Sequence, residues 1–340
     1  MDDTAPIGGT LAATPHTTGQ PDVDRYLSIA NIEAVRERIA PHLRRTPLLP
    51  SRTLGQMTNT RLALKLENLQ RTGSFKARGA LNAVFELTPE QKARGVVTFS
   101  AGNHGQGLAF AAAQAGVHCV VFMAENAVQT KVEAIRNYGA EIQFGATMAE
   151  AVHKMEAYQQ ERDAVFVSPF ADKAIIAGQG SVALEILEDN PEVEEIVFGI
   201  GGGGLASGTA IVAKSRNPNI RLIGVEPFGA ATMTRALEAG KPVPLEAIGT
   251  IADGLGAPFT AELNLSIVQH YVDDVVLVSD DEIAMALKLI MARAKQVVEP
   301  AAAAPLAALL TNKSGTAHGT NTVAILSGGN IDLDRLKGLL

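Results

Sequence analysis

KLENLQRTGSFKARGA, residues 65–80, joins an apolar run to a polar turn and then to a helical pattern. The run Leu62–Leu66 predicts a strand that ends near Glu67, and a helix is predicted to begin near Ser74. Lys76 then lies in the first turn of that helix, where the helix dipole disfavours an ammonium and lowers the pKa of the amine. A lysine with a lowered pKa is suited to condense with a carbonyl group. Taken alone, however, such a lysine is more often a solvated surface charge.

The segment SAGNHGQG, residues 100–107, follows a second predicted strand, Val96–Phe99. Ser100, Asn103 and the N-terminus of the predicted helix together indicate a loop that binds a carboxylate. His104 is a candidate base, but a histidine at a helix start more often hydrogen-bonds to the backbone. We therefore expect an anion-binding loop in which His104 has a structural role.

A glycine-rich segment, Gly199–Leu205, lies between a predicted strand and a helical pattern. Its glycines let backbone N–H groups approach a phosphate, and the N-terminus of the following helix adds partial positive charge. The same residues match the dinucleotide pattern G-x-G-x-x-G through Gly199, Gly201 and Gly204, and Glu226 ends the next strand, where a ribose-binding acid would stand. The segment predicts an anion site, but by itself it leaves a nicotinamide cofactor and another phosphate ligand open.

Two shorter segments lie near the end of the chain, Val297–Ala301 and Ser327–Asn330. The second follows the apolar run Val323–Leu326. Taken alone, each of the two segments indicates no more than a turn or a helix start.

The chain has 340 residues, of which 46% are apolar, and its formal net charge is −7. This length favours two domains, and the apolar content is sufficient for a large core. The negative charge disfavours a nucleic-acid partner, and no apolar run reaches the length of about 18 residues that predicts a membrane span. The single cysteine, Cys119, lies in an apolar run, so we expect a buried, inert thiol. Residues 1–25 lack the features of a signal peptide and are predicted to form a disordered tail of a cytoplasmic protein.

Short apolar runs alternate with amphipathic stretches from about residue 61 onward. This alternation predicts an α/β fold in which helices cover both faces of parallel sheets, and ligands then bind beyond the carboxyl ends of the strands. The predicted strands are Leu62–Leu66, Val96–Phe99, Cys119–Met123, Glu141–Phe144, Val165–Val167, Glu195–Phe198, Leu222–Val225, Val275–Val278 and Val323–Leu326. The predicted helices include Gly105–Ala115, Ala127–Tyr138, Met148–Glu161, Leu205–Ser215 and Asp281–Lys295.

The blocks Lys65–Ala80 and Ser100–Gly107 together resemble the threonine dehydratase/serine racemase family of fold-type II pyridoxal-phosphate enzymes. The resemblance runs from about Ile32 to the C-terminus. It implies a tryptophan-synthase-β-like α/β fold with two open, parallel-rich twisted sheets and flanking helices. It also implies that pyridoxal 5′-phosphate lies between a large domain of residues 26–79 and 164–340 and a small mobile domain of residues 80–163.

The resemblance implies a role for each matching residue. Lys76 would hold the cofactor as a Schiff base and abstract the Cα proton of the substrate, Asn103 would contact the ring hydroxyl, and Ser327 would contact the pyridine nitrogen. Further cofactor contacts are expected from Phe75, Gly201, Gly202, Gly203, Gly204, Leu205, Gly254 and Glu299. The substrate carboxylate would bind to Ser100, Ala101, Gly102, Asn103 and His104, while Phe170 would narrow the pocket.

Three positions depart from the pattern of the serine racemases in this family. Ala101 stands where they carry a serine, and an alanine has no proton to exchange, so efficient racemisation is not expected. Thr232 replaces an acid that binds a divalent cation, which leaves Glu226 and the carbonyl of Ala230 as candidate ligands for a monovalent or divalent ion. Phe170 stands where they carry an amide. The chain also resembles the short form of the family, without a regulatory domain.

The implied activity is elimination of the β-hydroxyl of L-threonine or L-serine, followed by release of ammonia and a 2-oxo acid. The expected partner is a small amino acid, and the expected assembly is a homodimer or homotetramer. The alternatives are a dehydratase of 3-hydroxyaspartate or phenylserine, a serine racemase, a β-replacement enzyme and a cofactor-binding protein without catalysis. A nicotinamide dehydrogenase is a remote alternative, because it would leave Lys76 and the Ser100 loop without a role.

Overall fold

The structure, a computed structural model, describes residues 25–100 and 102–340. The predicted tail, residues 1–25, lies outside the described residues except for its last position, and Ala101 also lies outside them. Ten strands and fourteen α-helices occur in the described part of the chain. None of its helices is long and apolar enough to cross a lipid bilayer.

The strands and helices are numbered in chain order. The strands are β1 (Leu48–Pro50), β2 (Arg61–Leu66), β3 (Val96–Phe99), β4 (Cys119–Ala124), β5 (Glu141–Gly145), β6 (Val165–Phe166), β7 (Glu195–Gly199), β8 (Arg221–Pro227), β9 (Asp274–Val278) and β10 (Asn321–Leu326). The helices are α1 (Ile29–Ile39), α2 (Arg52–Thr58), α3 (Lys76–Phe85), α4 (Pro89–Arg94), α5 (Asn103–Ala115), α6 (Gln129–Asn137), α7 (Met148–Arg162), α8 (Lys173–Asp189), α9 (Gly204–Arg216), α10 (Thr232–Ala239), α11 (Glu262–Tyr271), α12 (Asp280–Leu289), α13 (Pro300–Leu310) and α14 (Leu333–Leu339).

The strands form two sheets. One has the order β1-β2-β10-β7-β8-β9 and is parallel except for β1, which pairs antiparallel with β2. The other has the order β5-β4-β3-β6 and is parallel throughout. The predicted α/β fold with two parallel-rich sheets is therefore confirmed. The division into a large and a small domain stays a prediction, although the second sheet is built from residues 96–166.

The predicted strands are all present, with bounds that differ by a few residues at most. Strand β1 is the one that the apolar pattern does not predict. It has three residues, ends in Pro50 and lies at a sheet edge, which is where a proline without an N–H donor is tolerated. Cys119 is buried at the start of β4, and burial raises the pKa of its thiol to about 12, as expected for an inert cysteine.

The start of helix α12 is set by a capping box formed by Ser279 and Glu282. The Ser279 hydroxyl accepts a hydrogen bond from the Glu282 N–H at 3.2 Å, and the Glu282 carboxylate accepts one from the Ser279 N–H at 2.6 Å. This reciprocal capping satisfies two N–H groups that a helix start leaves unpaired. The predicted helix continues beyond α12 as a single π-turn, Ile290–Ala294, before the chain leaves the helical conformation.

A buried cluster of charges lies beneath the first turns of α3. The guanidinium of Arg78 donates to both oxygens of Glu67 and to both oxygens of Glu185, at 2.7–2.9 Å. Lys65 in β2 donates to Glu185 at 2.6 Å and to the carbonyl of Thr46 at 2.8 Å. Burial alone would raise the pKa of the Glu185 carboxyl, but the charges of Arg78 and Lys65 hold it below its ordinary value. The cluster therefore ties α3 to β2 and α8.

We predict that Glu185→Leu destabilises the fold by about 3–5 kcal/mol, because it leaves Lys65 and Arg78 buried with one carboxylate between them. Equilibrium unfolding in urea measures the loss. The matched control is Glu188→Leu on the same helix, where the side chain is 43% exposed and pairs with Arg36 and Arg45. An exposed pair contributes about 1 kcal/mol or less. Equal losses in the two variants would contradict the prediction.

Candidate active site

A cavity of about 450 Å³ lies between the two sheets, beyond the carboxyl ends of their strands. The loops that line it follow β3, β6, β7 and β10, and α3 begins at its floor. The predicted site residues that line it are Phe75, Lys76, Ser100, Gly102, Asn103, His104, Phe170, Gly201, Gly202, Gly203, Gly204, Leu205, Gly254, Glu299 and Ser327. A larger open groove of about 770 Å³ beside β1 contains none of the predicted site residues. We therefore take the smaller cavity as the candidate site.

Lys76 is the first residue of α3, and its side chain reaches into the cavity. The amine donates a hydrogen bond to the carbonyl of Pro169 at 2.7 Å and lies 5.2 Å from the centre of the Phe75 ring. Burial lowers the pKa of Lys76 to about 8, while the nearby Glu299 opposes the shift. The sequence correctly predicts that the pKa of Lys76 is lowered, but it attributes the shift to the helix dipole. In the structure the largest cause is burial of the amine away from water.

The N-terminus of α5 forms one end of the cavity. The Ser100 hydroxyl accepts a hydrogen bond from the N–H of Gly102 at 3.2 Å, which shapes the turn before the helix. His104 is buried, and its Nε2 lies 3.0 Å from the carbonyl of Val167. Burial and the charge of Lys76 lower the pKa of His104 to about 3, so the imidazole is neutral at physiological pH. This geometry matches the structural role that the sequence favours for His104.

Three polar side chains connect the loops after β3 and β10 with the start of α13. The amide of Asn103 donates to Glu299 at 2.7 Å, and its oxygen accepts from the amide of Asn330 at 2.8 Å. Burial raises the pKa of Glu299 to about 7, and the negative charge of Asp253 adds to the effect. Ser327 lines the cavity just after β10, and its hydroxyl forms no hydrogen bond with another described residue.

The glycine-rich loop, residues 199–204, lines the same cavity as the N-terminus of α5. Within the described part of the chain, no group accepts a hydrogen bond from the N–H of Gly201, Gly202 or Gly203. The first turn of α9 adds further unpaired N–H groups and the positive end of a helix dipole. A Cβ atom on Gly202 would lie 2.3 Å from the ring of Phe170, so only glycine fits beneath that ring.

The sequence family described as pyridoxal-phosphate dependent enzymes matches residues 39–328. The chain belongs to this family. An L-threonine ammonia-lyase from Geobacter sulfurreducens is 43% identical over 307 residues, which cover 90% of this chain and 76% of that relative. A catabolic L-threonine dehydratase from Staphylococcus aureus is 40% identical over 318 residues, which cover 92% of both chains. Among solved structures, maize serine racemase has a TM-score of 0.88 at 39% identity and covers 92% of this chain and 96% of its own.

These matches confirm the resemblance to the threonine dehydratase/serine racemase group and identify the chain as an enzyme that uses pyridoxal phosphate. The cavity fits that cofactor. Its unpaired N–H groups at Gly201, Gly202 and Gly203 suit a phosphate. Lys76 supplies an amine with a lowered pKa for the aldehyde, and the free hydroxyl of Ser327 suits a ring nitrogen. The glycine loop is thus explained without a dinucleotide.

The geometry at Glu226 does not resemble a divalent metal site. Its two carboxylate oxygens accept hydrogen bonds from the N–H of Met233 at 2.6 Å, and from the N–H and hydroxyl of Thr234 at 2.8 and 2.7 Å. Glu226 therefore caps the start of α10, and burial raises the pKa of its carboxyl to about 7. No cluster of three or more acidic, His or Cys side chains suited to a metal occurs in the described residues. A cation bound by Glu226 and the carbonyl of Ala230 stays a prediction.

Several residues that line the cavity are missing from the sequence-based site, and Lys131 and Phe259 are two of them. Lys131 in α6 forms an ion pair with Asp253 at 2.8 Å, and Asp253 also pairs with Arg335 at 3.0 Å. Phe259 packs its ring edge-to-face with Phe170, with the ring centres 5.5 Å apart. The start of α6 after β4 is a positional signal that would have pointed to Lys131. No local pattern marks Phe259, because a loop outside the two sheets brings it to the cavity.

We predict that Lys76 in the apoprotein reacts with acetic anhydride with a midpoint near pH 8, because burial lowers the pKa of its amine to about 8. Only the neutral amine is nucleophilic, so the rate rises as the pH passes through that value. Mass spectrometry of the peptide that contains Lys76 measures the rate. N-acetyl-lysine amide in the same solution is the control, and a midpoint for Lys76 equal to that of this compound would contradict the prediction.

Gly202→Ala tests the contact between the loop and Phe170. We expect the variant to bind pyridoxal phosphate about tenfold more weakly or worse, because the new Cβ must displace the ring and the loop. Titration of the apoprotein by absorbance measures the dissociation constant. Gly338→Ala in α14 is the matched control, since no atom lies within 4 Å of the added Cβ. Unchanged affinity in both variants would show that the loop absorbs the methyl group without effect.

Proposed function

We propose that this enzyme eliminates the β-hydroxyl of L-threonine and L-serine and releases ammonia with 2-oxobutanoate or pyruvate. The observation that carries the proposal is that Lys76 and two helix N-termini, those of α5 and α9, line one cavity. A zwitterionic amino acid and an anionic cofactor need two such anion sites with a base between them. The names of the two relatives, an L-threonine ammonia-lyase and an L-threonine dehydratase, support the same activity.

Each part of the cavity has a role in this proposal. The start of α5, with Ser100, Gly102, Asn103 and His104, binds the substrate carboxylate through N–H groups and the helix dipole. When bound, pyridoxal phosphate supplies the electron sink that acidifies the Cα–H bond. Lys76, as a neutral amine, accepts the Cα proton, and its pKa near 8 suits a base at physiological pH. Ala101 belongs to the same loop in sequence, but it lies outside the described residues.

Further residues hold the cofactor in this proposal. Gly201 to Leu205 would hold the phosphate, and Phe75 and Gly254 would contact the ring. Asn103, which Glu299 and Asn330 orient, contacts the ring hydroxyl. The Ser327 hydroxyl is a neutral partner for the ring nitrogen and does not force that nitrogen to carry a proton, which suits prompt loss of the β-hydroxyl.

The charge of the cavity favours an uncharged β-substituent. Lys76 and Lys131 are the lysines or arginines that line the cavity in the described part of the chain, and Lys131 is already paired with Asp253. The carboxylate of 3-hydroxyaspartate would therefore find no free cation. A racemase is disfavoured as well, because Ala101 supplies no proton to the second face of the substrate.

We infer that residues 80–163 move as a small domain that closes the cavity over the substrate. Strand β6 pairs with β3 and would move with this domain. Two contacts bear on the proposed motion. Lys131 in α6 pairs with Asp253, and the Thr130 hydroxyl donates to Asp332 at 3.3 Å, so these two contacts of α6 with residues outside 80–163 are polar. Closure of this kind excludes water from the reacting atoms. Small-angle scattering that shows no compaction with a bound substrate analogue would contradict the inference.

We also propose that the enzyme is a cytoplasmic homodimer or homotetramer. The exposed apolar side chains of Leu49 and Met57, which lie in β1 and α2, support a contact between copies. A single monomeric species in sedimentation velocity would contradict this assembly.

Lys76→Ala is the decisive variant for the activity. We expect the wild-type holoenzyme to release a 2-oxo acid from L-threonine and from L-serine, with little or none from D-serine and 3-hydroxyaspartate. Loss of the base lowers kcat by at least about a thousandfold. Release of the 2-oxo acid, coupled to its reduction by a dehydrogenase, measures both rates.

Lys92→Ala in α4 is the control, since this lysine lies outside the cavity. If the wild-type protein carries cofactor but no hydroxy amino acid yields a 2-oxo acid, the elimination activity is wrong. β-Replacement with an added thiol, or a binding role, then becomes the working hypothesis.

A further inference from the structure

One wall of the cavity is apolar and leads from the glycine loop to the surface. Phe170 is buried against Gly202, and the ring of Phe259 meets it edge-to-face at 5.5 Å. The apolar side chains of Val128 and Met148 line the same cavity. Phe259, Val128 and Met148 are 40%, 42% and 42% exposed, so they stand at the mouth.

Hydrogen bonds fix the two aromatic residues beside the loop. The Thr260 hydroxyl donates to the carbonyl of Gly202 at 3.1 Å, which holds the neighbouring Phe259 in place. The amide of Asn264 donates to the carbonyl of Phe170 at 3.2 Å. The Ser168 hydroxyl accepts from the N–H of Phe170 at 3.4 Å and closes the turn before it. The wall is therefore preformed and does not depend on a ligand to order it.

The positions of the polar groups indicate which part of a substrate meets this wall. The carboxylate is assigned to the start of α5, and Cα must lie within reach of Lys76. The Lys76 amine is hydrogen-bonded to Pro169, the residue directly before Phe170. A side chain that leaves Cα away from α5 therefore points toward Phe170 and Phe259.

We propose that Phe259, together with Phe170, forms the subsite for the β-substituent and selects apolar groups there. The inference rests on the proposed function and deepens it. The subsite favours the methyl group of threonine over the hydrogen of serine. Because the exposed apolar side chains of Val128 and Met148 line the same cavity, it also accepts longer aliphatic groups. The enzyme therefore converts 3-hydroxynorvaline to 2-oxopentanoate.

The reaction with 3-hydroxynorvaline balances without a further reactant. The Cα–H and Cβ–O bonds break, a Cα–Cβ double bond forms, and hydroxide leaves with a proton as water. The released enamine becomes an imine, and one water molecule adds to its carbon to expel ammonia. The net products of one 3-hydroxynorvaline are one 2-oxopentanoate and one ammonia.

Phe259→Ala and Phe259→Leu test the subsite in the holoenzyme. The first measurement is kcat/KM for L-serine, L-threonine and 3-hydroxynorvaline. For the wild type we expect the two larger substrates to exceed serine, and for Phe259→Ala we expect the threonine-to-serine ratio to fall about tenfold. Leucine keeps much of the apolar surface, so Phe259→Leu restores most of the ratio. It also keeps the test valid if the alanine variant does not fold.

The second measurement does not require turnover. Calorimetry of the holoenzyme gives the affinities of L-alanine, L-2-aminobutyrate and L-norvaline, which have no β-hydroxyl to lose. In the wild type each added methylene tightens binding by about fourfold, and in Phe259→Ala this gain disappears. Met285→Ala is the control, because Met285 is exposed on α12 and does not line the cavity.

The outcomes distinguish this inference from the proposed function. If no hydroxy amino acid is turned over but the alanine series shows the methylene gain and its loss in Phe259→Ala, the elimination activity fails and the subsite stands. If Phe259→Ala and Phe259→Leu keep cofactor, the threonine-to-serine ratio and the methylene gain of the wild type, the subsite is overturned. An equal change in Met285→Ala overturns it as well.

Discussion

In both sheets the parallel strands run so that their carboxyl ends meet at the same cleft, and helices α5 and α9 begin there. A helix start leaves N–H groups unpaired and carries partial positive charge, so two anion sites arise from backbone geometry alone. The free N–H groups of Gly201, Gly202 and Gly203 belong to one site, and the turn at Ser100 belongs to the other. The other residues of the cavity act on a ligand whose anionic groups bind to the N-termini of α5 and α9.

The position of Lys76 depends on a buried cluster of charges in the helix that it begins. Lys76 begins α3, and the same helix carries Arg78, whose guanidinium is saturated by Glu67 and Glu185 below the cavity floor. Burying four charges brings little stability by itself, because their desolvation offsets most of the attraction. The cluster does hold the first turn of α3 in one position, because a shift of the helix would leave buried charges without partners. The amine thus enters the cavity from a fixed point.

Inside the cavity, burial sets the protonation states as much as neighbouring charges do. It lowers the pKa of Lys76 to about 8 and that of His104 to about 3, and it raises the pKa of Glu299 to about 7. Lys76 and Glu299 therefore both have pKa values near physiological pH, whereas the imidazole of His104 is neutral there. The only other lining ammonium in the described residues, that of Lys131, is neutralised by Asp253. The remaining wall is aromatic and aliphatic, which leaves hydrophobic contact to discriminate between substrates.

The sequence by itself determined the strands, the capped helices and the segments that form the two anion sites, because periodicity, capping residues and glycine runs act over short stretches of chain. The motif around Lys76 also indicated the family, and the family indicated the cofactor. Sequence could not assign Phe259 or Lys131 to the cavity, nor show that Glu226 caps α10. Those facts depend on contacts between residues far apart in the chain. Tertiary structure alone decided them, since burial and close packing are properties of the folded whole and not of any local segment.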